Sequence, residues 1–126
     1  MGKEGYEKLE AEILKEKAEA LGRTEERLQS SLKALKEVGA TINLLEEELW
    51  KMTVPLRSTF ELEVQKNALR ERIKEETKKF NTLREQALRY RHYLIIQREA
   101  VGFRKHPDLD TLYPIPPRQE IKSPKP

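Results

Sequence analysis

Between Tyr6 and Met52 the apolar residues return at helical spacing. Leu14, Leu21, Leu28, Leu35, Ile42 and Leu49 fall seven apart without a miss, the period of a helix that packs lengthwise against another helix. The second seam position is filled less faithfully. Ala18 and Leu32 fit one register, Glu25, Gly39 and Glu46 interrupt it, and Val38, Leu45 and Met52 take over one residue earlier. A stripe that broadens in this way is expected where a helix meets more than one neighbour. Gly22 resembles a helix end, but Leu14, Leu21 and Leu28 keep their phase across it. The pattern therefore predicts one helix with a weak point costing about 1 kcal/mol.

Pro55 ends this run. It has no backbone N–H and drives Val54 out of the helical region, so the first helix is expected over 1–53 and a turn over 54–58. Ser58 stands three residues before Glu61, the spacing of a capping box, and a second helix is expected over 59–103. Its seam runs through Leu62, Leu69, Ile73, Phe80, Leu83, Ala87, Tyr90, Leu94 and Val101, with gaps at Lys66, Glu76 and Gln97. Two helices of roughly 65–70 Å joined by so short a connection favour antiparallel neighbours. The expected fold is all-α: an elongated antiparallel coiled-coil helical hairpin with an extended Pro-containing C-terminal tail over 104–126. Six of the seven prolines lie in the last twenty-one residues, and the end beyond Arg118 reads as largely disordered.

Composition sharpens this picture. Of 126 residues, 37% are charged and only 37% hydrophobic, which argues against a compact single-core enzyme. The net charge of +3 divides unevenly, with −3 on residues 1–61 and +6 on residues 62–126. Halves of opposite sign favour antiparallel pairing of the two helices. There is no cysteine, so disulfides and thiolate chemistry are excluded. The N-terminal residues have no apolar core of the signal-peptide kind, and no run of about 18 apolar residues reads as a membrane span. An intracellular protein, cytoplasmic or nuclear, is expected.

Three features are candidates for function. Tyr93, Leu94, Ile95 and Ile96 are consecutive and cannot share one two-helix seam, so a further surface there is covered by the tail or by a partner; a locally thicker core against Tyr6, Leu9, Ile13 and Leu14 is the structural alternative. Arg84, Arg89, Arg91, Arg98, Arg104 and Lys105, interleaved with Tyr90 and Tyr93, form a candidate nucleic-acid contact. Their structural alternative is pairing with Glu4, Glu7, Glu10, Glu12, Glu16 and Glu19 on the first helix. In the tail, Pro114 and Pro117 have PxxP spacing with Arg118 next to them, as an SH3-like module would read, while Leu109, Leu112, Tyr113 and Ile115 are apolar enough to pack back on Ile95, Ile96 and Phe103.

Catalytic patterns are lacking. His92 and His106 show no metal-ligand spacing, and there is no phosphate-binding glycine loop. The expectation is a non-enzymatic assembly or adaptor subunit with no cofactor, metal or small-molecule substrate. Its partner is another protein (a helical subunit or an SH3-like module) or a second copy, docked through Trp50, Tyr93, Ile95, Ile96, Phe103, Leu112, Tyr113, Pro114, Pro117 and Arg118; a nucleic-acid-associated role for 84–106 is the alternative.

Overall fold

The computed structural model describes residues 2–55, 57–106 and 108–120. Helix α1 spans Lys3–Thr53, α2 spans Phe60–Ala100, and a short α3 spans Leu109–Leu112. No strand occurs among the described residues. None of these helices is long and apolar enough to cross a membrane.

α1 is continuous through Gly22, as the unbroken phase of its leucines requires. Its buried positions are Thr24, Leu28, Ser31, Leu35, Val38, Ile42 and Leu45, spaced alternately four and three apart. The expected change of register does not occur. Ser31 holds the second seam while Leu32 is only half-buried and Ala18 is exposed. The seam was obscured because two of its members are polar. The Thr24 hydroxyl donates to the Ala20 carbonyl at 3.2 Å, so on its own helix it satisfies the group that burial strips of water.

On α2, Lys66, Phe80, Ala87 and Leu94 are buried and Ile73 is half-buried, a strict seven-residue series. Lys66 occupies one of the expected gaps. Its ammonium lies 3.3 Å from Glu63 Oε1, so the stem is buried while the charge is met.

The chain forms two compact units, residues 1–32 with 86–115, and residues 33–85 with 116–126. In the second unit α2 folds back on α1, and a Cβ on Gly39 would stand 3.5 Å from the Phe80 ring. The ends of α2 differ from expectation. Thr59, not Ser58, caps it, accepting from the Leu62 N–H at 3.1 Å. Ser58 instead donates to Glu63 Oε1 at 2.5 Å, so the Ser58–Glu61 capping box is replaced by a cap one residue later.

At its other end α2 stops at Ala100 rather than Phe103. The Phe103 N–H donates to the Arg98 carbonyl and the Gly102 N–H to the Glu99 carbonyl, each at 3.0 Å, and Gly102 has φ of 101°. These are the paired bonds and left-handed residue of a Schellman cap. The contact that usually closes the motif is supplied by the Arg98 guanidinium, 4.4 Å from the Phe103 ring centroid.

In the first unit no residue of 3–19 is buried. Tyr6, Leu9, Ile13 and Leu14 are exposed, so they form no thickened core with the Tyr90–Phe103 segment. Among the described residues, none of the ion pairs joins an α1 glutamate to an α2 arginine. The expected pairing of the α2 arginines with the glutamates of the first helix is therefore not seen among the described residues.

Gly22 inside α1 and Gly102 just past the end of α2 make opposite demands and give a test. A Cβ on Gly22 meets nothing within 4 Å, so Gly22→Ala is expected to stabilise the chain by about 1 kcal/mol in urea unfolding. Gly102→Ala is expected to destabilise it by about 1 kcal/mol, because its φ favours glycine.

Candidate protein-binding surface

Arg84, Arg91 and Arg98 recur every seven residues on α2 and so share one side of that helix. Each is turned toward the chain's own C-terminal segment. In the first unit, Arg98 Nε donates to His106 Nδ1 at 3.4 Å. With Nδ1 accepting, Nε2–H is left to donate to Glu99 Oε1 at 3.2 Å. Arg91 Nη1 donates to the Tyr113 carbonyl at 3.1 Å, and its Nη2 lies 3.2 Å from Asp110 Oδ1.

α3 is the local device that brings Asp110 and Tyr113 to Arg91. Asp108 is its N-cap, its carboxylate accepting from the Asp110 N–H at 3.1 Å and from the Thr111 hydroxyl at 2.7 Å. The Thr111 hydroxyl is the main reason the Asp108 carboxyl is held below its ordinary range. Leu109 is buried, and the Tyr113 hydroxyl donates to Glu25 Oε1 on α1 at 2.5 Å. That bond first, then burial and the Glu25 charge, push the Tyr113 hydroxyl above its ordinary value of 10.0.

In the second unit, Arg84 Nε donates to the Pro116 carbonyl at 2.9 Å. Asn81, buried, donates to the Gln119 carbonyl and accepts from the Gln119 N–H, both at 2.9 Å. A side-chain amide thus pairs with one residue's backbone as a neighbouring strand would.

The expected site residues divide accordingly. Arg84, Arg91 and Arg98 are occupied by the tail, whereas Arg89, Arg104 and Lys105 are exposed, so the basic stretch is not one continuous outward surface. Tyr113 is an anchor, and Phe103 lies under Arg98 with about half its surface open. Leu112, Pro114, Pro117 and Arg118 are exposed, while Ile115 and Pro116 are half-buried. The tail residues 121–126, with Pro124 and Pro126, lie outside the described residues.

Tyr93 and Ile96 are 49% and 50% exposed. They follow Arg91 by two and five residues, about 200° and 140° around the helix, and so face away from the tail. Ile95 follows Arg91 by four, stays near the tail's side and is half-buried. Trp50, in the second unit, is 68% exposed. Among the described residues no group of three or more histidines or carboxylates is placed to hold a metal ion.

The sequence reading missed Asn81, Asp108 and Glu25 as anchors. The heptad spacing of the three arginines was the available signal for the tail-facing side; nothing local marks Asn81 or Glu25.

Comparison with known proteins finds no matching family model, no matching curated protein and no matching solved structure.

Arg91→Ala removes a charged donor from a mostly buried site and is expected to cost about 1–3 kcal/mol in urea unfolding, with faster amide exchange over 109–115. The Tyr113 proton gives a pH test. Its raised pKa means that the anchor's contribution is complete below pH 10.0 and is lost as the pH climbs beyond that value. Absorbance titration should show a late tyrosinate phase that Tyr113→Phe abolishes.

Proposed function

We propose that this chain is a non-enzymatic assembly or adaptor subunit, an antiparallel coiled-coil hairpin whose Pro-containing tail clamps one side of α2 and leaves another side free for a partner protein. The observation that carries the reading is the half-exposure of Tyr93 and Ile96 on the side of α2 turned away from the tail. α1 and the tail cover other sides of this helix, burying Leu94 and holding Arg91 and Arg98, so these side chains are turned outward. Large apolar and aromatic groups presented in this way are the usual anchors of a helix-face interface.

Two further surfaces support the same reading. Trp50 is exposed near the end of α1, and tryptophan is strongly enriched among interface anchors. Pro114, Pro117 and Arg118 are exposed along the tail, while the Pro116 carbonyl between the two prolines is held by Arg84. An SH3-like module would therefore meet a segment already fixed at one point, which lowers the ordering cost of binding. The location consistent with this reading is intracellular.

Tyr93→Ser/Ile96→Ser is the direct test. Proteins co-purifying with the wild-type chain are expected to be lost from this variant, with unfolding stability changed by less than about 1 kcal/mol. Retention of every such protein by the variant would refute the α2 surface. A gel shift at low salt is expected to show no oligonucleotide retention, because only Arg89, Arg104 and Lys105 of the basic stretch remain free; retention would favour the nucleic-acid role for 84–106.

A further inference from the structure

In the first unit the tail sets carboxylates on a basic stretch. Residues 86–105 carry four arginines and one lysine against Glu99 alone, whereas residues 106–115 carry Asp108 and Asp110 and no lysine or arginine. Four of the five cations gather where the tail lies. Arg91 Nη2 stands 3.2 Å from Asp110 Oδ1, and Arg98 Nε donates to His106 Nδ1. The Phe103 ring lies against the same Arg98 guanidinium. Arg104 and Lys105, both exposed, are thus bracketed in the chain by two residues that touch Arg98. Arg89, two residues before Arg91, faces another side of the helix.

We propose that Arg91, Arg98, Arg104 and Lys105, with the Phe103 ring, form a binding site for a single strand of nucleic acid, and that residues 106–115 mask this site. The tail is a poor electrostatic match for what it covers. Among the described residues only Arg91 of these four meets a tail carboxylate, and the Asp110 side chain is 80% exposed, so that pair stays in water and contributes little. Arg91 gives its other donor to the Tyr113 carbonyl. Arg98 is engaged by an imidazole nitrogen, neutral because it accepts, and by an aromatic face. A phosphate would give each guanidinium a charged partner that its planar fork fits, in place of these neutral ones.

Two features favour a nucleic-acid strand over an acidic peptide. Phe103 is 48% exposed and offers an open ring beside a cation, the kind of platform on which an unpaired base stacks. A strand also brings a charge with every nucleotide, whereas the tail, itself an acidic peptide, leaves Arg98, Arg104 and Lys105 without a carboxylate. Masking extends to the field of the unit. Residues 1–32 hold eight glutamates against four lysines and two arginines, so the unit is formally neutral with residues 106–115 seated and +2 without them. Strand and tail exclude each other on Arg91 and Arg98, so each weakens the other's hold. The site is distinct from the Tyr93 and Ile96 surface and does not rest on it.

The experiment is a low-salt gel shift of the full chain with a single-stranded oligothymidylate of about 20 nucleotides, long enough to span one such site. Leu109→Ser/Tyr113→Phe removes the buried side chain of α3 and the bond to Glu25, alters no charge at neutral pH and spares all four cations. It is expected to speed amide exchange over 109–115 and to bind the oligonucleotide at least ~10-fold more tightly than the wild-type chain. The complex is expected to dissociate as salt is raised. Adding Arg91→Gln/Arg98→Gln is expected to bring binding back to the wild-type level or below it.

Faster exchange over 109–115 without tighter binding overturns the proposal, as does binding indifferent to Arg91→Gln/Arg98→Gln. Polyglutamate held by the released variant at least as tightly as the oligonucleotide overturns nucleic acid as the ligand. If Leu109→Ser/Tyr113→Phe loses helicity or leaves exchange over 109–115 unchanged, the wild-type chain decides. With the oligonucleotide at ~1 mM, faster exchange over 109–115 supports a strand that displaces the tail, and unchanged exchange overturns it.

Discussion

A helix paired with one other helix buries a single narrow stripe, and that limit governs the composition and packing of this chain. The buried set of α1 alternates four and three residues from Thr24 to Leu45, with polar or charged faces to either side. Even the stripe is not wholly apolar. Thr24 and Ser31 sit in it on α1, Lys66 and Thr77 on α2, and the hydroxyls of Thr24 and Thr77 are returned to carbonyls of their own helices. Such positions add packing volume at low hydrophobic gain. A seam this lean leaves each helix with sides that must be covered by something else or stay in water.

The tail covers one of those sides, and it does so mainly through polar groups. Arg84, Arg91 and Asn81 take hold of backbone atoms at Pro116, Tyr113 and Gln119, and buried Leu109 is the main apolar contribution. Backbone atoms are present whatever the side chain, so this mode of attachment leaves Pro114, Pro117 and Arg118 free to point outward. It also ties the attachment to ionisation at its ends. The bonds that cap α3 favour the charged form of Asp108, and Tyr113 must be protonated to donate to Glu25.

Long elements were legible in the sequence, and their closures were not. Leu28, Leu35 and Ile42 announced the α1 seam because leucine and isoleucine repeated every seven residues along a charged helix seldom mark anything but a packed stripe. Thr24 and Ser31 concealed its second half, since a hydroxyl residue on a buried stripe looks the same in sequence as one on a wet face. The α2 start was displaced by one residue because Ser58 and Thr59 are both competent caps, and the Ser58 hydroxyl is drawn to Glu63 instead. The tail's apolar residues signalled docking, but Asn81 and Glu25 are ordinary polar helix residues whose roles appear only when a segment distant in sequence is brought to them.

The arginines show how one sequence feature can carry two meanings. Read as a cluster, the residues from Arg84 to Lys105 form a basic field; read at intervals of seven, Arg84, Arg91 and Arg98 become one row facing one way. The row is spent on neutral carbonyls, a histidine nitrogen, an aromatic face and the Glu85 and Asp110 carboxylates, and of the three only Arg91 meets an opposite charge on the tail. Guanidinium groups suit that task because their planar forks can donate in two directions while remaining charged. Only part of the basic surplus, with Arg89, Arg104 and Lys105, lies in the same unit as the first turns of α1, while Arg84 and Arg118 belong to the other unit. Local order and long-range charge are set by the same residues, which is why the near-neutral total conveys so little about what the chain's surface can attract.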